Sequence, residues 1–174
     1  DPTPYAQALA DNPYAGVWSA GGSLNSARYG LTGMGTQTAG LVAAGVVPGS
    51  DGSALVEKYN GTSWTEVADL NGARRELASA GTDTAAIVFG GGAPAKSLTE
   101  SWDNSSWTEV ADLNTARYQL GGCGTSTAAL AYAGVPAPPA KNETESWNGS
   151  SWTEVNDVNT ARGFGGSLGI YTAA

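Results

Sequence analysis

The side chains that could do chemistry in this 174-residue chain are few, and they recur in register. Glu66, Glu109 and Glu154 form one set, Asp69, Asp112 and Asp157 a second, and Arg28, Arg74, Arg117 and Arg162 a third. Carboxylates in such numbers suggest a divalent-cation site or a glycosidase pair. A working acid/base pair needs two carboxylates in different environments, whereas copies in register share one. The arginines suggest an anion site or a framework ion pair. Asp69, Asp112 and Asp157 each stand five residues before an Arg, and Ser23 takes that place before Arg28. An Asp–Arg or Glu–Arg framework contact is the expectation. The chain has no His, which removes His-based triads, general bases and metal ligands. The single Cys123 aligns with Met34, Ala80 and Leu168, six residues after each Arg, and so reads as a buried strand position. It cannot form an internal disulfide. No catalytic residue, cofactor or resident metal is expected.

These residues belong to a longer repeated phrase. A Trp precedes each Arg by ten positions, in the pairs Trp18/Arg28, Trp64/Arg74, Trp107/Arg117 and Trp152/Arg162. An Asn stands three before each Arg: Asn25, Asn71, Asn114 and Asn159. The Arg-to-Arg steps are 46, 43 and 45 residues. A period of this size means one supersecondary unit repeated, and an all-strand unit points to a β-propeller. The twelve Trp, Arg and Asn positions read as its framework, and residues 1–174 as one domain.

The third unit shows how the strands are specified. Ala116 to Leu120 starts a strand that runs into Gly121–Gly124. Ala128 to Ala133 is a small apolar run, suited to a strand buried on both faces. Thr144–Trp147 and Ser151–Val155 alternate polar and apolar residues. Asn148-Gly149 between them predicts a hairpin turn, because both residue types tolerate positive φ. Aromatic residues flank this turn in three units: Tyr59/Trp64, Trp102/Trp107 and Trp147/Trp152. Their rings are expected to face each other across the strands. They serve packing between units, with a sugar-stacking platform at Tyr59, Trp102 and Trp147 as the sharper alternative.

The unit resembles the kelch repeat in its strand-one Arg, its Gly pair, its aromatic in strand three and its Trp in strand four. Gly90-Gly91-Gly92 after Ile87-Val88-Phe89 gives the nearest match, and Ala133-Gly134 departs from it. The resemblance implies four-stranded blades around an axis, with strand one innermost. The wording Trp-Asn-Gly-Ser-Ser-Trp-Thr-Glu-Val also resembles kelch-like repeats of phage and uncultured-virus proteins. Copper oxidases carry kelch propellers, but their metal site requires His.

Three intervals leave room for roughly one more unit, so a four-bladed β-propeller with one blade split between the termini is expected. Arg162–Gly169 supplies strand one of that blade. Tyr5–Ala10 supplies strand two or three, and Val17–Ser19 strand four. Two closures are compatible with the split: pairing of the two ends within one chain, or exchange of the N-terminal strand into a neighbouring copy. The formal charge of −8 and pI near 4.3 argue against nucleic acid as a partner. No apolar run reaches the roughly 18 residues of a spanning helix, so membrane insertion is not expected. The chain starts at Asp1, as a processed or trimmed end would. Asn60, Asn104, Asn142 and Asn148 match the glycosylation pattern, three of them at the repeat's turn. Residues 47–54, 93–98 and 135–142 form the variable loops where ligands usually bind. The leading expectation is a non-enzymatic structural protein that assembles with copies of itself, extracellular or virion-associated. The alternative is a module that binds cell-surface glycans.

Overall fold

The computed structural model describes residues 20–92, 94–135 and 139–165. They form three four-stranded antiparallel sheets, each an up-and-down meander. The first contains β1 (Thr32–Thr36), β2 (Ala39–Ala43), β3 (Val56–Tyr59) and β4 (Trp64–Glu66). The second contains β5 (Ala78–Gly81), β6 (Ala86–Phe89), β7 (Thr99–Trp102) and β8 (Trp107–Val110). The third contains β9 (Gly121–Gly124), β10 (Ala129–Tyr132), β11 (Thr144–Trp147) and β12 (Trp152–Val155). The protein is all-β, with no helix among the described residues. Three sheets stand where four blades were expected; the strands assigned to the fourth, and Trp18, lie outside the described residues, apart from 162–165.

Strands β1, β5 and β9, the first of each sheet, pack side by side. Two apolar cores fill the gaps between sheets. Leu41, Ala43 and Val56 of the first sheet meet Ala86, Val88, Trp102 and Trp107 of the second. Ala78, Ala80, Ile87 and Phe89 of the second meet Ala129, Ala131, Trp147 and Trp152 of the third. The period-2 geometry of β6 explains the division: Ala86 and Val88 point to one core, Ile87 and Phe89 to the other. All four are 0% exposed, and each larger side chain contributes about 2 kcal/mol by burial. The two-sided burial expected of Ala128–Ala133 is therefore found in β6. In β10 only Ala129 and Ala131 are buried, while Leu130 and Tyr132 are half-buried.

The hairpins pair their aromatic residues directly: Tyr59 with Trp64, Trp102 with Trp107, and Trp147 with Trp152. Ring centroids lie 4.9, 5.2 and 5.3 Å apart. The turn chemistry differs from expectation. Gly149 has φ +95°, but Asn148 is not left-handed. Its side-chain oxygen instead accepts the N–H groups of Ser150 and Ser151, each at 2.9 Å. Asn60 caps its turn likewise, and Asp103 does so with Ser105 and Ser106. A side-chain oxygen that mimics a backbone turn fixes the loop without strain at that residue.

Two further expectations change. Arg117 to Leu120 is not strand; β9 begins at Gly121. Gln119 adopts φ +55° and bends the chain before the strand starts. The equivalent residues Gly30, Glu76 and Phe164 are also left-handed, at 63°, 55° and 56°. Each bend brings one unit's backbone to the next: Glu76 N–H donates to Gly30 O, Gln119 to Glu76 O, and Phe164 to Gln119 O, all at 2.7 Å. These four positions line one cavity of about 350 Å³. Ala133 marks the second change. It ends β10 at φ +59°, where Gly90 has φ +68°, so the departure from the Gly pair alters the residue but not the backbone. Gly91 follows, and a Cβ there would lie 2.7 Å from both Arg75 O and Leu77 Cβ.

An L-residue in the left-handed region costs about 1 kcal/mol relative to glycine. Ala133→Gly is expected to raise stability by about 0.5 kcal/mol, after the unfolded chain's extra freedom is counted. Gly91→Ala is expected to lower it by more than about 2 kcal/mol through the clash; denaturant midpoints measure both. Hydrogen bonds from Ser105 and Ser106 hold the Asp103 carboxyl down at about 2 against an ordinary 3.8. A depressed carboxylate stabilises the fold above its unfolded value and loses that contribution as pH falls toward 2. Asp103→Asn keeps the turn, as Asn60 and Asn148 do, and is expected to abolish this loss in an acid titration followed by tryptophan fluorescence.

Candidate functional site

The recurring polar residues converge on one cluster per sheet. Arg74 lies in the segment that leaves the first sheet and enters the second. Its Nη2 meets Glu100 Oε1 of β7 at 2.5 Å, and both side chains are at most 3% exposed. Nη1 donates to Leu98 O at 2.8 Å. The other carboxylate oxygen, Glu100 Oε2, accepts from both the backbone N–H and the Nδ2 of Asn71, each at 2.8 Å. Asn71 Nδ2 also donates to Trp107 O of β8. One Asn-x-x-Arg phrase therefore clasps strands three and four of the sheet it is about to join.

The same cluster recurs twice. Arg117 pairs with Glu145 at 2.8 Å, with Asn114 on the second oxygen and on Trp152 O. Arg28 pairs with Glu57 at 2.9 Å, with Asn25 N–H on the second oxygen and Asn25 Nδ2 on Trp64 O. Burial pushes each guanidinium down from its ordinary 12.5, and the paired glutamate opposes that shift. The charge persists, since Arg does not deprotonate in proteins. The Nε of all three is buried without a hydrogen-bond partner.

The partner differs from the one expected. Asp69, Asp112 and Asp157 do not bond the arginines. Their Oδ1 atoms accept the backbone N–H of Val56, Thr99 and Thr144, where strand three of each sheet begins. Glu66, Glu109 and Glu154 are exposed. The residues missed are Glu57, Glu100 and Glu145. Each stands two before the strand-three aromatic, on the same face of the strand, and that repeated Glu-x-aromatic spacing was the available signal.

The framework tryptophans Trp64, Trp107 and Trp152 sit in the hairpins; Trp107 and Trp152 are 6% exposed. Their indole N–H groups donate to Gly22 O, Ala68 O and Thr99 Oγ1. Trp102 and Trp147 are 2% exposed, which leaves neither a ring face for a stacked sugar; Tyr59 is half-buried. Cys123 is half-buried rather than buried, and burial raises its thiol pKa, away from nucleophilic character. Among the described residues no three metal-ligating side chains come together.

The fourth cluster is different. Arg162 repeats the backbone contacts of its counterparts: its N–H donates to Lys141 O and its carbonyl accepts from Gly134 N–H. Arg117 does the same with Lys96 and Gly91. Yet Arg162 is exposed, where Arg74 and Arg117 are buried, and its guanidinium donates through Nε to Thr160 O; Asn159 is exposed like its three counterparts. Beside it, the third sheet turns Val155 (40% exposed) and half-buried Cys123 and Leu130 outward. Their counterparts in the second sheet, Ala80 and Ile87, are buried under the third.

Removing one partner of a buried ion pair leaves an uncompensated charge and costs about 3 kcal/mol. Glu100→Gln and Arg74→Lys are both expected to lower stability by about 2–3 kcal/mol, the second through loss of the forked geometry. Arg162→Lys is expected to leave the unfolding free energy within about 0.5 kcal/mol, as for other surface substitutions. Equal losses at all four arginines, read by chemical denaturation, would contradict this assignment.

No protein-family profile matches the sequence, and comparison with characterised proteins finds no similar chain, so the geometry of these clusters carries the functional reading.

Proposed function

We propose that the chain is a kelch-like, four-bladed β-propeller whose fourth blade is divided between its two end segments, and that it is a non-enzymatic structural protein assembling with copies of itself outside the cell or on a virion. The observation that carries this reading is the contrast between Arg162 and its counterparts. Three units set the guanidinium of their Arg against a buried Glu, with Arg74 and Arg117 buried and Arg28 half-buried; the fourth, with the same backbone anchoring, has its Arg exposed. Next to that open cluster lies a partly apolar sheet face, which is the character of a surface that becomes covered. The recurring Asn side chains and the Asp side chains at 69, 112 and 157 make framework contacts, which favours a scaffold over a reaction centre. A contact that joins one end of a copy to the other end of the next generates an open polymer unless its rotation closes.

A glycan-binding reading has one observation in its favour. Tyr29 is 68% exposed and borders a pocket with Pro48, Ser50 and Asp51 of the first variable loop. An aromatic face beside hydroxyl and carboxylate acceptors suits a sugar ring.

Light scattering and negative-stain microscopy across a concentration series test the main reading. Concentration-dependent oligomers or filaments are expected; dispersed monomers at the highest concentration would contradict it. For the second reading, a glycan array should give hits that Tyr29→Ala removes.

A further inference from the structure

The dipeptide Asn-Gly occurs three times, at Asn60-Gly61, Asn71-Gly72 and Asn148-Gly149. A backbone nitrogen reaches a side-chain amide most readily in this pair, since glycine has no Cβ to obstruct the approach. All three asparagines are exposed, so sequence and exposure rank them alike. Their hydrogen bonds separate them. Asn60 and Asn148 open the β3–β4 and β11–β12 turns. Asn60 Oδ1 accepts the N–H groups of Thr62 and Ser63, and Asn148 Oδ1 those of Ser150 and Ser151 and the Ser150 hydroxyl, all at 2.9 Å. Donors on that oxygen stabilise the oxyanion that forms when a nucleophile adds to Cγ. Among the described residues, neither Nδ2 has a hydrogen-bond partner, and neither has the N–H of the glycine that follows. Leaving group and nucleophile are both unencumbered.

Asn71 is the reverse. Its Nδ2 donates to Glu100 Oε2 at 2.8 Å and to Trp107 O at 3.1 Å. Withdrawing that amide breaks a charge-assisted bond, and a carboxylate in its place would set two like charges together.

We propose that Asn60 and Asn148 are sites of spontaneous deamidation and that the clasp on Glu100 protects Asn71. The glycine nitrogen attacks Cγ, the Cγ–Nδ2 bond breaks, and Nδ2 leaves as ammonia with the glycine's proton. Water then adds to Cγ of the cyclic imide and cleaves the Cγ–N bond, which restores the main chain and leaves aspartate. The donors on the Cγ oxygen favour water at this carbonyl over the main-chain one, whose opening would give isoaspartate. The loop accepts the product. Asp103 holds the same place in the second sheet, bonded by the N–H groups of Ser105 and Ser106 at 2.8 Å, with Trp102 and Trp107 still in register. Those bonds hold the Asp103 carboxyl down at about 2, so the carboxylate is the form that the loop prefers. Each conversion adds a negative charge at the end of one hairpin, in a chain whose formal charge is already −8, and leaves the clasps that seat the sheets unaltered.

Incubation of the full chain in mildly alkaline buffer, followed by peptide mapping with mass spectrometry, tests the assignment. Conversion at Asn60 and Asn148 is expected to be at least about tenfold faster than at Asn71, the factor for one charge-assisted bond that must open first. The same chain held in denaturant is the control: there the three dipeptides are expected to convert at similar rates, with a larger share of isoaspartate. Asn148→Asp is expected to keep the near-ultraviolet circular dichroism of the parent. Equal rates at the three sites of the folded chain, or the same ranking in denaturant, overturn the proposal, because the fold then does not select the sites. So does a folded chain that stays unconverted at Asn60 and Asn148 while the denatured chain reacts. An equal share of isoaspartate in both states overturns the role given to the loop donors.

Discussion

The buried Arg–Glu pair is the interaction on which the arrangement of sheets depends. The segment after each last strand is tied at both ends: Asp69 and Leu70 bond β3 and the loop before it in the first sheet, and Asn71 and Arg74 bond the second. The next sheet is therefore placed by side chains of the linker, before any apolar contact is counted. A buried ion pair adds little stability over a well-packed apolar substitute, and here each Arg also leaves its Nε unpartnered. What the pair supplies is geometry. A forked cation, a carboxylate and an amide accept few relative positions, whereas the cores of Ala, Val and Leu beside them would tolerate several.

The cores in turn explain the placement of the tryptophans. The hairpins of the second and third sheets press their Trp pairs against the preceding sheet, and Phe89 meets Trp152 edge-on at 4.9 Å. The middle sheet is covered on both faces and consequently has the most continuous apolar strand, β6. Lys58 reaches across from the first sheet to Asp83 at 3.1 Å and to Asn104, bracing the outer ends of the same interface.

Repeat period, strand order and aromatic pairing were legible in the sequence because each depends on local spacing. The identity of the Arg partner was not. Asp69 lies five residues from Arg74 along the chain, while Glu100 lies beyond two strands, and only the folded sheet makes the distant one adjacent. Local spacing also failed where backbone conformation overrides residue preference. Gln119 and Ala133 are poor left-handed residues, and both adopt that conformation because the hydrogen bonds of neighbouring units require the bend. The fourth cluster was readable as a repeat of the phrase, but the exposure of Arg162 was not, since the spacing of a motif carries no information on burial.

The relay of left-handed residues has a consequence for divergence. Its common element is a bond between N–H and carbonyl groups, to which only Gln119 and Glu76 add a side-chain bond, so the side chains at its positions are held less strictly than those of the clusters and the cores. The chain already holds Gly30, Glu76, Gln119 and Phe164 there, a neutral void, an acid, an amide and an aromatic, around a single cavity. Within a sequence that otherwise repeats itself closely, this is the place where copies of a duplicated unit can become chemically unlike one another without disturbing how they join.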